Sequence, residues 1–230
     1  MIRKILILVL VLTVPITALL TGVEIATKGD DFFYEQFQKN DVPQNTGMDL
    51  DNLMNVTDSI QDYLFGKRDD LEITAFINGE ETKVFNQREI IHMEDVKVLF
   101  EKGILFRNMG AIVVLLAAAY GIVKRKRWIF KAFLLSVALY FAVGAILGGM
   151  LYVDFNKYFN LFHEIFFSND YWILDPRDSI LINMVPLNFF MSIVRKILLV
   201  TTILILATPL AFEIRFKFGG NHERYRNFRN

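Results

Sequence analysis

The chain contains no cysteine and three histidines. Thiol chemistry is therefore absent, and the imidazoles are the side chains able to exchange protons near neutral pH. Two of them have neighbours that bear on chemistry. In "REIIHMEDVK" (88–97), Glu89 and Asp95 lie three residues before and after His92. On a helix that spacing puts both carboxylates on the histidine's face, where either could bind one ring nitrogen and fix the tautomer. In "FNLFHEIFF" (159–167), His163 sits among phenylalanines. The third, His222, lies in "NHERYRNFRN" and reads as a solvated tail residue. No Gly-x-Ser-x-Gly elbow, His-Glu-x-x-His element or closely spaced histidine pair occurs, so the expectation is acid–base chemistry with no metal and no cofactor. Periodicity alone favours reading His92 as an ordinary surface histidine.

These residues must be positioned by a membrane protein. Hydrophobic residues make up 53% of the chain, with 22 phenylalanines and a mean hydropathy of +0.35. That exceeds the content of an ordinary soluble domain. Net charge is zero, which offers no general attraction to nucleic acid. Four stretches are long and apolar enough to cross a hydrocarbon core, for which about 20 helical residues suffice. The expected spans are 1–26, 107–123, 128–153 and 187–212. The first follows Arg3-Lys4 and reads as an uncleaved anchor, being too long for a signal-peptide core. The second needs residues before Arg107 to reach across. The third carries Gly144 and Gly148 at a spacing that permits close helix approach, with packing inside the chain favoured over dimerisation. In the fourth, Arg195 and Lys196 are charges in an apolar stretch, where function is the default reading and snorkelling the bland one.

Basic residues set the orientation. Arg3-Lys4, the loop 124–127 (Lys-Arg-Lys-Arg) and the tail 213–230 fall on one side of four spans, the cytoplasm by the positive-inside rule. Segments 27–106 and 154–186 then face outward, and both termini are expected inside.

The larger outer segment is patterned as a folded cap. Leu50, Leu53, Met54, Ile60, Leu64 and Phe65 recur at helical spacing and stop at Gly66. "LEITAFINGEETKVF" predicts a hairpin turning at Asn78-Gly79. Asn86 with Glu89 makes a capping box opening a helix over 87–102, which carries His92. The fold class is thus an α-helical integral membrane protein, four transmembrane helices with a mixed α+β extracellular cap. In the smaller segment, Phe155, Tyr158, Phe159, Phe162 and Phe166 would form one aromatic stripe bordered by His163. Trp172 fits an interfacial belt, and "WILDPRDS" (172–179) places Asp175 either beside His163 or in a solvated turn.

"REIIHMEDVK" together with "FHEIFFSNDYWILDPRDSILINMVP" resembles the lipoprotein intramolecular transacylase family of Gram-positive bacterial membranes. The resemblance covers the whole chain: four spans, a large segment after the first, and the two histidine-bearing motifs in order. It implies acyl transfer within a diacylglyceryl lipoprotein, from the glyceryl sn-2 oxygen to the α-amine of the N-terminal cysteine, with membrane lipid as surroundings. By motif position His92 and His163 become the catalytic pair. The attack closes an eight-membered ring within one molecule, so no acyl-enzyme is required. The expected division makes His92 the base, held by Glu89 or Asp95, and gives His163 the ester side, although the two roles could be exchanged. Phe159, Phe162, Phe166, Trp172, Asp175 and Arg195 are the candidates for orienting groups or binding substrate. The helix bearing His92 is expected to lie against the membrane so that its ring approaches that of His163. A non-enzymatic receptor with an extracellular cap is the alternative reading.

Overall fold

The computed structural model describes the backbone of residues 2–227 and side chains through Phe218. Arg229 and the side chains of His222, Arg224 and Arg226 lie outside the described residues. Four helices are long and apolar enough to cross a membrane: α1 (Ile2–Thr27), α5 (Gln87–Val123), α6 (Trp128–Val153) and α9 (Leu187–Asn227). The shorter elements are α2 (Asp30–Lys39), α3 (Val42–Thr46), α4 (Leu50–Leu64), β1 (Thr74–Ile77), β2 (Glu80–Lys83), α7 (Phe155–Phe166) and α8 (Ile180–Met184). The chain divides into two compact units, one of residues 1–23, 104–153 and 197–230, the other of 24–103 and 154–196.

The first unit is a helical bundle. Its core is Leu10, Val14, Ala18, Ile129, Ala132, Phe133, Ile205, Phe212 and Phe216. Backbones approach closely where a side chain is missing: a methyl group on Gly22 would sit 2.4 Å from Thr201 Oγ1 and 3.0 Å from the Ile197 carbonyl oxygen. Gly144 and Gly148, expected to serve such packing, have nothing within 4 Å of a Cβ. Gly144 and Gly148 are exposed, and the close approaches fall instead at Gly22, Gly110 and Gly121.

The second unit is built around Phe33, Phe37, Leu53, Val56, Ile73, Phe85, Met93, Met184 and Phe189. The helix expected from Leu50 is α4, N-capped by the Asp49 side chain and followed by Gly66 at φ +73°. The left-handed conformation there is what glycine allows without strain. The hairpin forms as expected, with Asn78 (φ 54°) and Gly79 (φ 87°) in the type I′ turn that matches strand twist. The capping box forms too: the Asn86 N–H donates to Glu89 Oε2 at 2.7 Å, and the Glu89 N–H donates to Asn86 Oδ1 at 3.0 Å.

Two expected boundaries differ. The helix opened by that box does not stop near Lys102 but runs on to Val123, so His92 and the second span share one helix instead of a separate helix lying against the membrane. Nothing from Gly103 to Arg107 breaks it, because one glycine costs a helix only about 1 kcal/mol. The fourth span likewise continues past 212 as helix to Asn227. The third span, α6, ends at Val153: Asp154 adopts a non-helical conformation and accepts the Lys157 N–H at 3.0 Å, starting α7 anew.

Candidate active site

The second unit brings His92 and His163 together. Their ring centroids are 6.3 Å apart with a 38° tilt. Both rings contact Phe167, at 5.3 Å from His92 and 5.6 Å from His163. Trp172 stacks on His163 at 4.7 Å and 26°, and Phe159 packs at 4.2 Å on the same imidazole. The stripe expected on α7 is divided. Phe155, Phe159 and His163 follow one line toward Phe190, while Phe162, in edge contact with His163 at 5.3 Å, packs tilted against Phe166 along an exposed edge with Ile165. His163 is therefore within an aromatic row, not beside it.

Each histidine has a defined electrostatic setting. His163 Nδ1 lies 2.8 Å from the Phe159 carbonyl oxygen. A carbonyl only accepts, so Nδ1 carries the proton and Nε2 holds the lone pair. Burial lowers the His163 pKa below the ordinary histidine value, partly opposed by that bond. His92 Nδ1 is enclosed and without a hydrogen-bond partner. Burial pushes His92 down to about 4, a charge on His163 would push the same way, and Asp95 pulls against both. Both rings are neutral near pH 7.

The carboxylates expected to hold His92 bond elsewhere. Glu89 is 1% exposed, and its Oε1 accepts from Ser179 Oγ at 2.6 Å and the Leu181 N–H at 2.7 Å, while Oε2 completes the capping box. It clamps the start of α5 to the segment before α8. Asp95 Oδ2 accepts from Asn169 Nδ2 at 2.7 Å; the Asn169 carbonyl accepts from Trp172 Nε1 at 2.9 Å. Asp95 thus acts on Trp172, and through it on the His163 ring, with a longer-range charge effect on His92. Asp175 pairs with Arg177 in an exposed turn, and Arg195 bonds Ser192 on its own helix at 2.8 Å. Neither hydrogen-bonds to an imidazole. No group of metal-ligating side chains occurs among the described residues.

Several contributors escape a sequence reading. Arg88 donates to the carbonyls of Asp170 and Ile173 and lies over Tyr171, tying the loop after α7 to α5. Phe167, Asn169 and Ser179 have equally specific places. "SNDYW" signals a turn, which hints at Asn169, but only tertiary structure matches its amide to Asp95.

Four apolar helices among the described residues define the class: a polytopic membrane protein, in which two imidazoles meet in an aromatic setting. The chain belongs to the lipoprotein intramolecular transacylase Lit family, whose sequence model matches residues 8–190. It is accordingly an acyltransferase, and the receptor reading falls away. Among solved structures, the membrane-integral lipoprotein intramolecular transacylase Lit from Bacillus cereus is similar at 21% identity and a TM-score of 0.73, over 97% of this chain and 98% of that one. Two forms of that protein with a single histidine replaced, by arginine or by alanine, give TM-scores of 0.72 and 0.71 at 21% identity. They cover 98% and 97% of this chain, and 95% and 96% of their own. Pairwise comparison with curated proteins finds no match.

Proposed function

We propose that the protein moves the sn-2 acyl chain of a diacylglyceryl lipoprotein onto the α-amine of its N-terminal cysteine, with His163 as base and His92 as donor to the ester. The observation carrying this is the meeting of two half-buried imidazoles whose ring centroids are 6.3 Å apart.

The roles follow from the tautomers. With Nδ1–H committed to Phe159, His163 offers the Nε2 lone pair to an amine proton. For His92 the enclosed Nδ1 favours the lone pair there, since an orphaned buried N–H is the rarer arrangement. Nε2–H is then the donor, suited to a developing oxyanion. This exchanges the roles that the flanking carboxylates suggest in sequence. The neutral amine attacks the ester carbonyl, forming the N–C bond and closing the eight-membered ring. His163 takes the amine proton. The C–O bond breaks, and the proton passes to the departing glyceryl oxygen, leaving an N-acyl cysteine and a free sn-2 hydroxyl. Because nucleophile and ester are in one molecule, confinement supplies much of the advantage; well-oriented intramolecular reactions gain up to roughly 7 to 11 kcal/mol. The exposed Phe162, Ile165 and Phe166 give the acyl chains an apolar surface beside His163.

Mass spectrometry of a reporter lipoprotein's N-terminal peptide tests the reading. Conversion should leave total mass unchanged while fragment ions move one acyl group to the amine. His92→Ala and His163→Ala should each lower it by at least about a hundredfold, the usual scale for losing an acid–base group. Full activity in either variant would sink the two-histidine mechanism.

A further inference from the structure

At the other compact unit, where the linker 124–127 joins α5 to α6, Ile2, Arg3, Leu6, Tyr120, Arg125, Lys126, Arg127 and Trp128 enclose an open cavity of about 570 Å³. Four of the eight are cations and none is an acid. Trp128 is the first residue of α6, so the positive end of that helix's dipole adds to the same field.

The four cations are not equivalent. Arg127 is paired with Glu213 at 3.1 Å. Arg125 donates to the Phe216 carbonyl and lies 4.1 Å over the Phe216 ring. It also holds φ 51°, a left-handed backbone conformation that costs a side-chain-bearing residue energy, so its guanidinium is anchored at some expense. Arg3 lies 5.9 Å over the Trp128 ring, and neither it nor Lys126 forms an ion pair among the described residues. Two uncommitted cations flank an acid-free cavity whose remaining walls are apolar. Ile2 and Leu6 are 74% and 44% exposed, and the apolar surface runs on along α1 through Ile5 and Val9.

We infer that this cavity binds the phosphodiester headgroup of an anionic phospholipid, with Arg3 and Lys126 on the phosphate and the acyl chains along Ile2 and Leu6. A basic pocket between spanning helices is the usual setting for such lipids. The continuous apolar wall distinguishes a lipid from free phosphate, which would leave that wall wet.

Native mass spectrometry of the purified full chain, titrated with phosphatidylglycerol or phosphatidylcholine, tests this. One phosphatidylglycerol should bind saturably and at least about tenfold more tightly than phosphatidylcholine. The double variant Arg3→Gln/Lys126→Gln should lose that preference. Lys4→Gln/Lys124→Gln, which removes the same charge from neighbouring positions outside the lining, should keep it. Equal loss in both double variants would reduce the effect to diffuse surface charge and overturn the site. So would equal affinity for the two lipids, or displacement of phosphatidylglycerol by millimolar inorganic phosphate. Transacylation retained by the Arg3/Lys126 variant shows it folded; if that variant is inactive and aggregated, the wild-type lipid preference and phosphate competition still decide.

Discussion

Histidines usually come to an active site with a carboxylate behind them. Here the two that helical spacing sets on the face of His92 are spoken for, Glu89 by Ser179 and Leu181 and Asp95 by Asn169. The rings are governed by burial instead, which disfavours the imidazolium. A sign follows for pH. An unfolded His92 titrates near 6.5, whereas in the folded protein it takes up a proton only near 4. Between those values the unfolded state binds more protons, so His92 costs stability as pH falls from about 6.5 to about 4 and contributes no further change below. NMR of ¹³C-labelled imidazoles should show His92 still neutral at about pH 5.5 and His163 titrating below the ordinary histidine range. The fall in thermal midpoint through that window should be smaller in His92→Gln than in wild type. Titration of His92 at or above 6.5 would overturn the burial argument and return Asp95 to the role of a direct partner.

At the scale of elements, the site depends on how the segment after α7 is held to α5. Arg88, Glu89 and Asp95, within two turns of one helix, engage residues 169–181 by hydrogen bonds to two carbonyls, a serine, a backbone N–H and an asparagine. Glu89 is the deepest of these. Glu89→Ala would leave the buried Ser179 hydroxyl and the half-buried Leu181 N–H without their acceptor, and each unsatisfied buried group costs about 1 to 3 kcal/mol, while the exposed Asn86 N–H can turn to water. A loss of stability of roughly 2 kcal/mol or more is expected in chemical or thermal unfolding of the detergent-solubilised protein. The His92 titration should hardly move. A large shift of that pKa without loss of stability would instead make Glu89 the orienting group that its spacing suggests. The capping box shows why sequence misleads here: it correctly places Glu89 at the third helical position, but the same carboxylate has a second oxygen, and its partners lie some ninety residues away.

For the whole molecule, local signals were readable wherever the physics is local. The 128–153 helix, the 124–127 linker, the Asn78-Gly79 turn and the Gly66 stop each rest on a few adjacent residues. The run of α5 through Gly103 and Arg107 was not, because a break was inferred from a change in polarity, and polarity changes do not interrupt backbone hydrogen bonds. The histidine pair was visible as two motifs, its meeting only in three dimensions. The largest claim still carried by sequence pattern is orientation: the basic loop at 124–127 inside, residues 27–106 and 154–186 outside. The absence of cysteine makes this directly testable, since any introduced thiol is unique. Lys67 and Arg177 have exposed side chains in the segments read as outward, and Lys124 is exposed in the basic loop. In intact cells a membrane-impermeant maleimide should label Lys67→Cys and Arg177→Cys, while Lys124→Cys should react only after permeabilisation. The reverse pattern would place both imidazoles on the cytoplasmic face, away from lipoproteins displayed outside. Labelling of Lys67→Cys but not Arg177→Cys would separate the two segments across the membrane, which is incompatible with their histidines being 6.3 Å apart.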